Sequence, residues 1–185
     1  MKKYFIFRIK HGLLLLAIIM VLPLIVSAQN LIMARAADAT GLDPHTQTAF
    51  ASLRLLELIY EPLVVLDEKL NIVPALAESW SFSSDGKVLT FQLRKGVTFH
   101  DGSKMTAKDV IASFKRILDE KTGAATRANF LSIQTIEEQG QNTVVFHLSR
   151  PDVPILTAMT DTNASIISSD IISNGNPSQK AIGTG

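Results

Sequence analysis

Hydrophobic and polar positions alternate along residues 75–102, and the phase of the alternation changes at each turn signal. Leu89, Phe91 and Leu93 fall on one side of a strand, and Val88, Thr90 and Gln92 on the other, because successive side chains of an extended chain face opposite ways. Ser83-Ser84-Asp85-Gly86 supplies the turn ahead of that strand. Asp tolerates tight backbone geometry there, and Gly accepts a positive φ without a Cβ clash. The strand before the turn carries Trp80, the single tryptophan. Arg94-Lys95-Gly96 ends the second strand, Val97-Thr98-Phe99 is expected to start another, and Asp101-Gly102 turns again. Burial of Trp80 would remove about 150–250 Å² from water, worth on the order of 4–6 kcal/mol as an upper figure. The rest of the chain is expected to be built around this hairpin unit.

A helical period of apolar residues takes over on either side. Phe50, Leu53, Leu56 and Tyr60 predict a helix over residues 48–60, capped by Thr48 and packed into the core along that stripe. Pro62 ends it, residues 63–66 can begin a strand, and Asp67-Glu68-Lys69 is a solvated turn. A second helix starts at Thr106-Ala107-Lys108-Asp109, where Thr106 can cap and Asp109 suits the positive end of the helix dipole. Val110, Phe114, Ile117 and Leu118 form its apolar stripe, with Lys108, Lys115 and Arg116 expected outside. Beyond a surface connection at 120–126 and a helical turn at 127–131, residues 133–136 and 143–148 read as strands joined by a loop at 138–142. Val144, Phe146 and Leu148 share one face of the second of these strands. His147 lies on the other with Val145 and has no evident partner. A helix at 151–159, a strand at 164–168, one helical turn at 169–174 and a polar loop at 174–179 complete the pattern. A short strand is also expected at 31–35.

The N-terminal 28 residues follow a different rule. Lys2, Lys3, Arg8 and Lys10 precede an almost wholly apolar run from Leu13 to Val26, and Val26-Ser27-Ala28 ends in small residues. That is the layout of a secretory signal cleaved after Ala28. The competing reading is a retained anchor, but 14 residues span only about 21 Å as a helix, against roughly 30 Å of hydrocarbon. Either reading exports the protein. Without this leader the formal charge of +1 becomes −3, from 14 basic and 17 acidic residues, so no basic stripe suits a nucleic acid. The sequence has no cysteine, which excludes disulfides, thiolate metal sites, cysteine catalysis and a lipid-modified N-terminal cysteine.

Few side chains suggest chemistry. His45 follows Pro44 with no second metal ligand three or four residues away, which fits a hydrogen-bonding loop residue better than a metal site. His100-Asp101 sits in an Asp-Gly turn and suits a structural role. Glu61 and Glu78 fit cap or salt-bridge roles better than a catalytic carboxylate pair. The chain has no G-x-S-x-G elbow and no H-E-x-x-H. It is read as a non-enzyme without cofactor or bound metal. A secreted hydrolase, and a truncated product or membrane-tethered interaction module, are the alternatives.

Several segments resemble one family. Ala77-Glu78-Ser79-Trp80, the Asp85-Gly86 turn, Thr90-Phe91-Gln92-Leu93-Arg94, Gly96-Val97 and Phe99-His100-Asp101-Gly102 keep an order and spacing similar to the family 5 bacterial extracellular solute-binding proteins. These are dipeptide-, oligopeptide- and nickel-binding subunits of ABC importers. Leu42-Asp43-Pro44-His45, Tyr60-Glu61-Pro62-Leu63, Thr106-Ala107-Lys108-Asp109-Val110 and Gly183-Thr184-Gly185 extend the resemblance. It implies an α/β fold: a mixed-sheet lobe of a two-lobed periplasmic-binding-protein-like architecture of the class II type, the second lobe missing from this sequence. Residues 29–45 would begin the first domain of lobe 1, 46–168 would form a mixed α/β domain inserted in it, and 169–185 would return to the first domain. The loop after Leu42-Asp43-Pro44 would lie at the mouth of the binding cleft. This makes Thr46, Gln47, Thr48, Ala49 and Phe50 the candidate ligand-binding residues, an ordinary surface loop being the alternative. The implied role is a monomeric periplasmic protein that delivers peptides or another small solute to an ABC permease in the cytoplasmic membrane. The ligand could equally be a metal chelate, a sugar or an opine.

Overall fold

A computed structural model describes Ala34 and residues 37–185 of the chain. The expected signal segment and nearly all of the strand expected at 31–35 lie outside these residues. The chain divides after Arg35, and the unit described below is the second one.

The Trp80 hairpin forms as its alternation requires. Strands β1 (Val64–Leu66) and β2 (Ile72–Pro74) make a small antiparallel ribbon. Then β3 (Ala77–Phe82) and β4 (Val88–Leu93) pair across the Asp85-Gly86 turn. Gly86 has φ 68°, where an L side chain would be strained. The sheet is completed by β5 (Ile133–Glu138) and β6 (Thr143–Leu148), in the order β3-β4-β6-β5 with every pair antiparallel. A bulge between Ala77 and Ser79 leaves Glu78 without a partner on β4. Ala77, Trp80 and Phe82 therefore share the face of Leu93, Phe91 and Leu89.

Helix α1 covers Phe50–Leu56 and α2 Ala107–Leu118. Two shorter helices follow, α3 (Pro154–Ala158) and α4 (Ser169–Asn174), with 3-10 turns at Glu120–Thr122, Arg127–Phe130 and Thr162–Ala164. The apolar stripe of α2 meets the sheet. Phe114 packs edge-on against Phe146 at 5.0 Å and against Phe130 at 5.3 Å, and Phe91 lies 5.7 Å from Phe146. Leu89, Phe91, Phe114, Phe130 and Phe146 are all fully buried. At the N-terminus of α2, the backbone N–H of Thr106 donates to the Asp109 carboxylate at 2.8 Å, the expected acidic half of a capping box.

Several expectations are corrected. Trp80 is only partly buried, because β3 is the sheet edge, and its ring lies 6.5 Å from Phe91. The aromatic centre is Phe114, under the middle of the sheet. The first helix is shorter than 48–60. Ala49, not Thr48, precedes it, and no side chain caps it. Phe50 is 70% exposed rather than packed. Val97–Phe99 is not a strand; it contributes a single bridge, Thr98 to Lys104. The helix expected at 151–159 shrinks to α3. His147 does have a neighbour, since its Nε2 stands 3.7 Å from Glu137 across the β5–β6 ladder.

Of the segment expected as a strand at 164–168, Ala164 closes the 3-10 turn and residues 165–168 join no sheet. Its residues are buried, and its backbone is bonded by single groups from several elements. The Ile166 N–H donates to the Glu61 carbonyl at 2.9 Å. The Ser113 hydroxyl accepts from the Ile167 N–H at 2.9 Å and contacts its carbonyl at 3.2 Å. The Ser169 N–H donates to Asp109 at 2.8 Å. Buried peptide groups need partners, and here side chains of α2 replace a neighbouring strand.

Phe114 is the test of this packing. Phe114→Ala should lower unfolding stability by about 3–5 kcal/mol in urea denaturation, and Trp80→Ala, at the half-exposed edge, should cost less.

Candidate functional site

The loop that follows Leu42 is held from three sides. Asp43 is 2% exposed and His45 fully buried, although both are polar. Arg116, in the last turn of α2, forks onto Asp43. Its Nη1 donates to Oδ1 at 3.0 Å, and its Nη2 pairs with Oδ2. The same Nη1 donates to the Nδ1 of His45 at 2.8 Å. On the other side of the ring, Nε2 donates to the Ser165 carbonyl at 3.0 Å. Accepting at Nδ1 and donating at Nε2 defines one neutral tautomer of His45. Arg116 was expected on the solvent side of α2; it is instead a half-buried partner of the loop.

The backbone of the loop is clamped as well. One amide nitrogen of Asn163 donates both to the Pro44 carbonyl and, at 2.9 Å, to the Gln47 carbonyl. The Asp43 carboxylate accepts from the His45 N–H at 3.1 Å. Thr40 donates from its hydroxyl to the Gln47 side chain at 2.9 Å, and from its N–H to Ser52 at 2.9 Å.

The five candidate ligand residues lie together on this loop and the first residue of α1. Thr46, Gln47 and Ala49 are half-buried, and the Gln47 side chain is already bonded to Thr40. Thr48 and Phe50 face solvent. Arg54 stacks its guanidinium 4.9 Å from the centre of the Phe50 ring and pairs with Glu57 at 2.7 Å, while Glu57 accepts from Thr162 at 3.2 Å. A concavity opens beside α1, lined by Arg54, Glu57, Tyr60, Glu61, Leu66 and Thr162. Sequence reasoning missed Arg54 and Glu57. Their i, i+3 spacing on a helix was the available signal. A wider groove between the Arg127–Phe130 turn and α3, lined by Leu131, Ser132, Asp152 and Val153, contains none of the loop residues.

The remaining sequence candidates are structural. His100 receives the glycine segment: its N–H donates to the Gly183 carbonyl at 3.0 Å, and its Nε2 donates to the Gly185 carbonyl at 2.7 Å. Asp101 accepts from the Ser103 N–H at 2.9 Å. A Cβ at Gly183 would collide with the Ile59 carbonyl, so that crossing admits only glycine. Among the described residues, Glu61 and Glu78 enter no ion pair, no group of three or more acidic or histidine residues could hold a metal ion, and no helix is long and apolar enough to cross a membrane.

This arrangement of an antiparallel sheet, a covering helix and a clamped loop is that of a lobe of a periplasmic binding protein. The structure of the PBP AgaA from A. tumefaciens R10, in complex with agropinic acid, superposes with a TM-score of 0.75 at 33% identity, over 80% of this chain and 30% of that one. The ABC transporter-associated periplasmic binding protein DppA from Helicobacter pylori, in complex with the peptide STSA, gives 0.69 at 34% identity, over 80% and 34%. Di/tripeptide-binding protein 2 of Pseudomonas aeruginosa is 30% identical over 204 residues, covering 96% of this chain and 38% of that protein. The family described as bacterial extracellular solute-binding proteins, family 5 Middle, matches residues 71–185. The chain belongs to the family 5 bacterial extracellular solute-binding proteins. It spans well under half the length of each of these relatives. They are binding proteins.

Burial pushes the His45 pKa down to about 4, against the bond to Ser165, and the Arg116 charge lowers it further. The unfolded chain, with an ordinary His near 6.5, binds the extra proton first. Stability is thus complete above about pH 6.5 and is lost as pH falls towards 4, by on the order of 3 kcal/mol. In His45→Gln, whose amide can accept from Arg116 and donate to Ser165, the urea midpoint should fall less steeply across that window than in the unaltered protein.

Proposed function

We propose that this chain is the ligand-gathering lobe of the substrate-binding component of an ABC importer for peptides. It works outside the cytoplasmic membrane after export by a signal segment cleaved at Ala28. Family membership supports the role, and relatives named for di/tripeptide and peptide binding support the cargo class. The periplasm is the compartment named for the Helicobacter pylori relative. The protein acts as a monomer and hands its solute to a permease, with no catalytic step of its own. Residues 29–45 and 169–185 belong to one domain of the lobe, and 46–168 to a second domain set into it.

The observation that carries this reading is the loop Thr46–Phe50. Its backbone is clamped by Asn163, yet it leaves the Thr48 and Phe50 side chains facing outward. A pre-formed loop binds without first being ordered, and exposed aromatic and hydroxyl groups suit the apolar side chains and polar backbone of a short peptide. Neighbouring Arg54 and Glu57 add one charge of each sign, the pattern that a zwitterionic ligand presents. A two-lobed clamp gains most of its affinity when it closes and buries the ligand, so one lobe alone binds weakly.

Titration of the exported chain with di- and tripeptides at millimolar concentration, followed by amide NMR shifts, tests the reading. Shifts should concentrate at Thr46–Phe50 and along α1, and be absent with neutral sugars. Shifts confined to the wider groove near α3 would overturn the site, and micromolar affinity of residues 29–185 alone would overturn the half-clamp.

A further inference from the structure

We infer that Arg116 and Asn163 are positioning residues for the loop Thr46–Phe50, and that His45 makes their hold releasable by acid. The inference rests on the proposed role of that loop as the ligand site. It concerns residues that lie outside the loop itself.

Three residues hold the loop, Arg116 from α2 and Asn163 and Ser165 from the turn at 162–165. Arg116 reaches from α2 to both oxygens of Asp43 and to the His45 ring. Asn163, in the Thr162–Ala164 turn, holds the carbonyls of Pro44 and Gln47 at once, so it fixes the spacing between the two ends of the tight turn 44–47. The Ser165 carbonyl receives the far side of the imidazole. Pro44 biases Asp43 away from the α region, which narrows the directions from which its carboxylate meets Arg116. With Asp43 and His45 buried and both ends of the turn bonded, the next residues, Thr46 to Phe50, start from a fixed position.

The hold depends on a lone pair. Arg116 can donate to Nδ1 only while the ring is neutral. Protonation turns Nδ1 into a donor that faces the Arg116 guanidinium, in a site from which water is excluded. The titratable groups around the ring are Asp43 on its own loop and Arg116 from α2. Tyr60, at the end of the segment after α1, interacts electrostatically with both and is kept protonated by burial, which raises its pKa to about 12. Asp43 alone is left to balance two cations. The surrounding structure relieves this by separating His45 from Arg116, and the loop on which His45 sits is the part that can move.

Amide hydrogen exchange on the full chain, without ligand, tests the inference. Asn163→Ala should raise exchange at the bonded loop amides of Thr46 and Gln47 by about tenfold or more, while sheet amides such as Phe91 and Val144 keep their protection. Arg116→Met should do the same. If Arg116→Met loosens the sheet as well, Asn163→Ala remains the deciding variant. In the unaltered protein, moving from about pH 7 to about pH 4.5, after correction for intrinsic rates, should loosen the same two amides, and His45→Gln should abolish that response. Unchanged loop exchange in Asn163→Ala, or a loop in His45→Gln that still loosens with acid, would overturn the inference. Loop-specific loosening together with no peptide-induced shifts at Thr46–Phe50 would leave the hold standing and remove the proposed site instead.

Discussion

Everything in this lobe hangs on the two faces of α2. One carries Val110, Phe114 and Ile117 into the sheet and fixes the aromatic core. The other carries Asp109, Ser113 and Arg116, spaced i, i+4 and i+7, which brings them onto one stripe of the helix. These three side chains are not a solvated surface. Asp109 bonds the start of α4, Ser113 the buried extended segment, and Arg116 the loop at Asp43. A helix that is apolar on one side and bonded through polar groups on the other ties the sheet to the segments packed on its far side. Removing Arg116 alone would leave the buried Asp43 carboxylate with the His45 N–H but no charged partner, an arrangement that generally costs more than the pair itself contributes.

The elements set by local rules were legible from the residues. The β3–β4 hairpin follows from alternation and an Asp-Gly turn, α2 from an apolar stripe with a capping Thr106, and β5–β6 from two apolar runs around a polar loop. What was not legible depends on distant partners. Arg116 looks like any outward-facing helix residue until Asp43, 73 positions earlier, is brought beside it. The segment 164–168 has the composition of a strand, yet its backbone is bonded by side chains and isolated carbonyls instead of a ladder. The hairpin that carries Trp80 is the expected organising unit, but strand order puts β3 at the edge and leaves that ring partly exposed.

The candidate site shows the same division. The family motif marked the loop after Leu42-Asp43-Pro44, and the structure places those five residues side by side. Nothing in the linear sequence indicated that Gln47 is engaged with Thr40, whereas the helical spacing of Phe50, Arg54 and Glu57 did carry the signal that they meet. His45 was read as a hydrogen-bonding loop residue, and it is one. It is fully buried, and its ring partners, Arg116 and Ser165, lie 71 and 120 positions away.

The bulge at Glu78 gives the hairpin a kind of ratchet. Because one residue is extruded there, Ala77 and Trp80 lie on the same side of β3 although three positions separate them. A one-residue slide of β3 along β4 would turn Trp80 and Phe82 towards water and bring Ser79 and Ser81 against Phe91 and Leu89, so the misregistered partner is penalised at four positions together. An uncovered sheet edge is the usual place for strands to slip or recruit strangers. Here a single supernumerary glutamate locks that margin into one alignment.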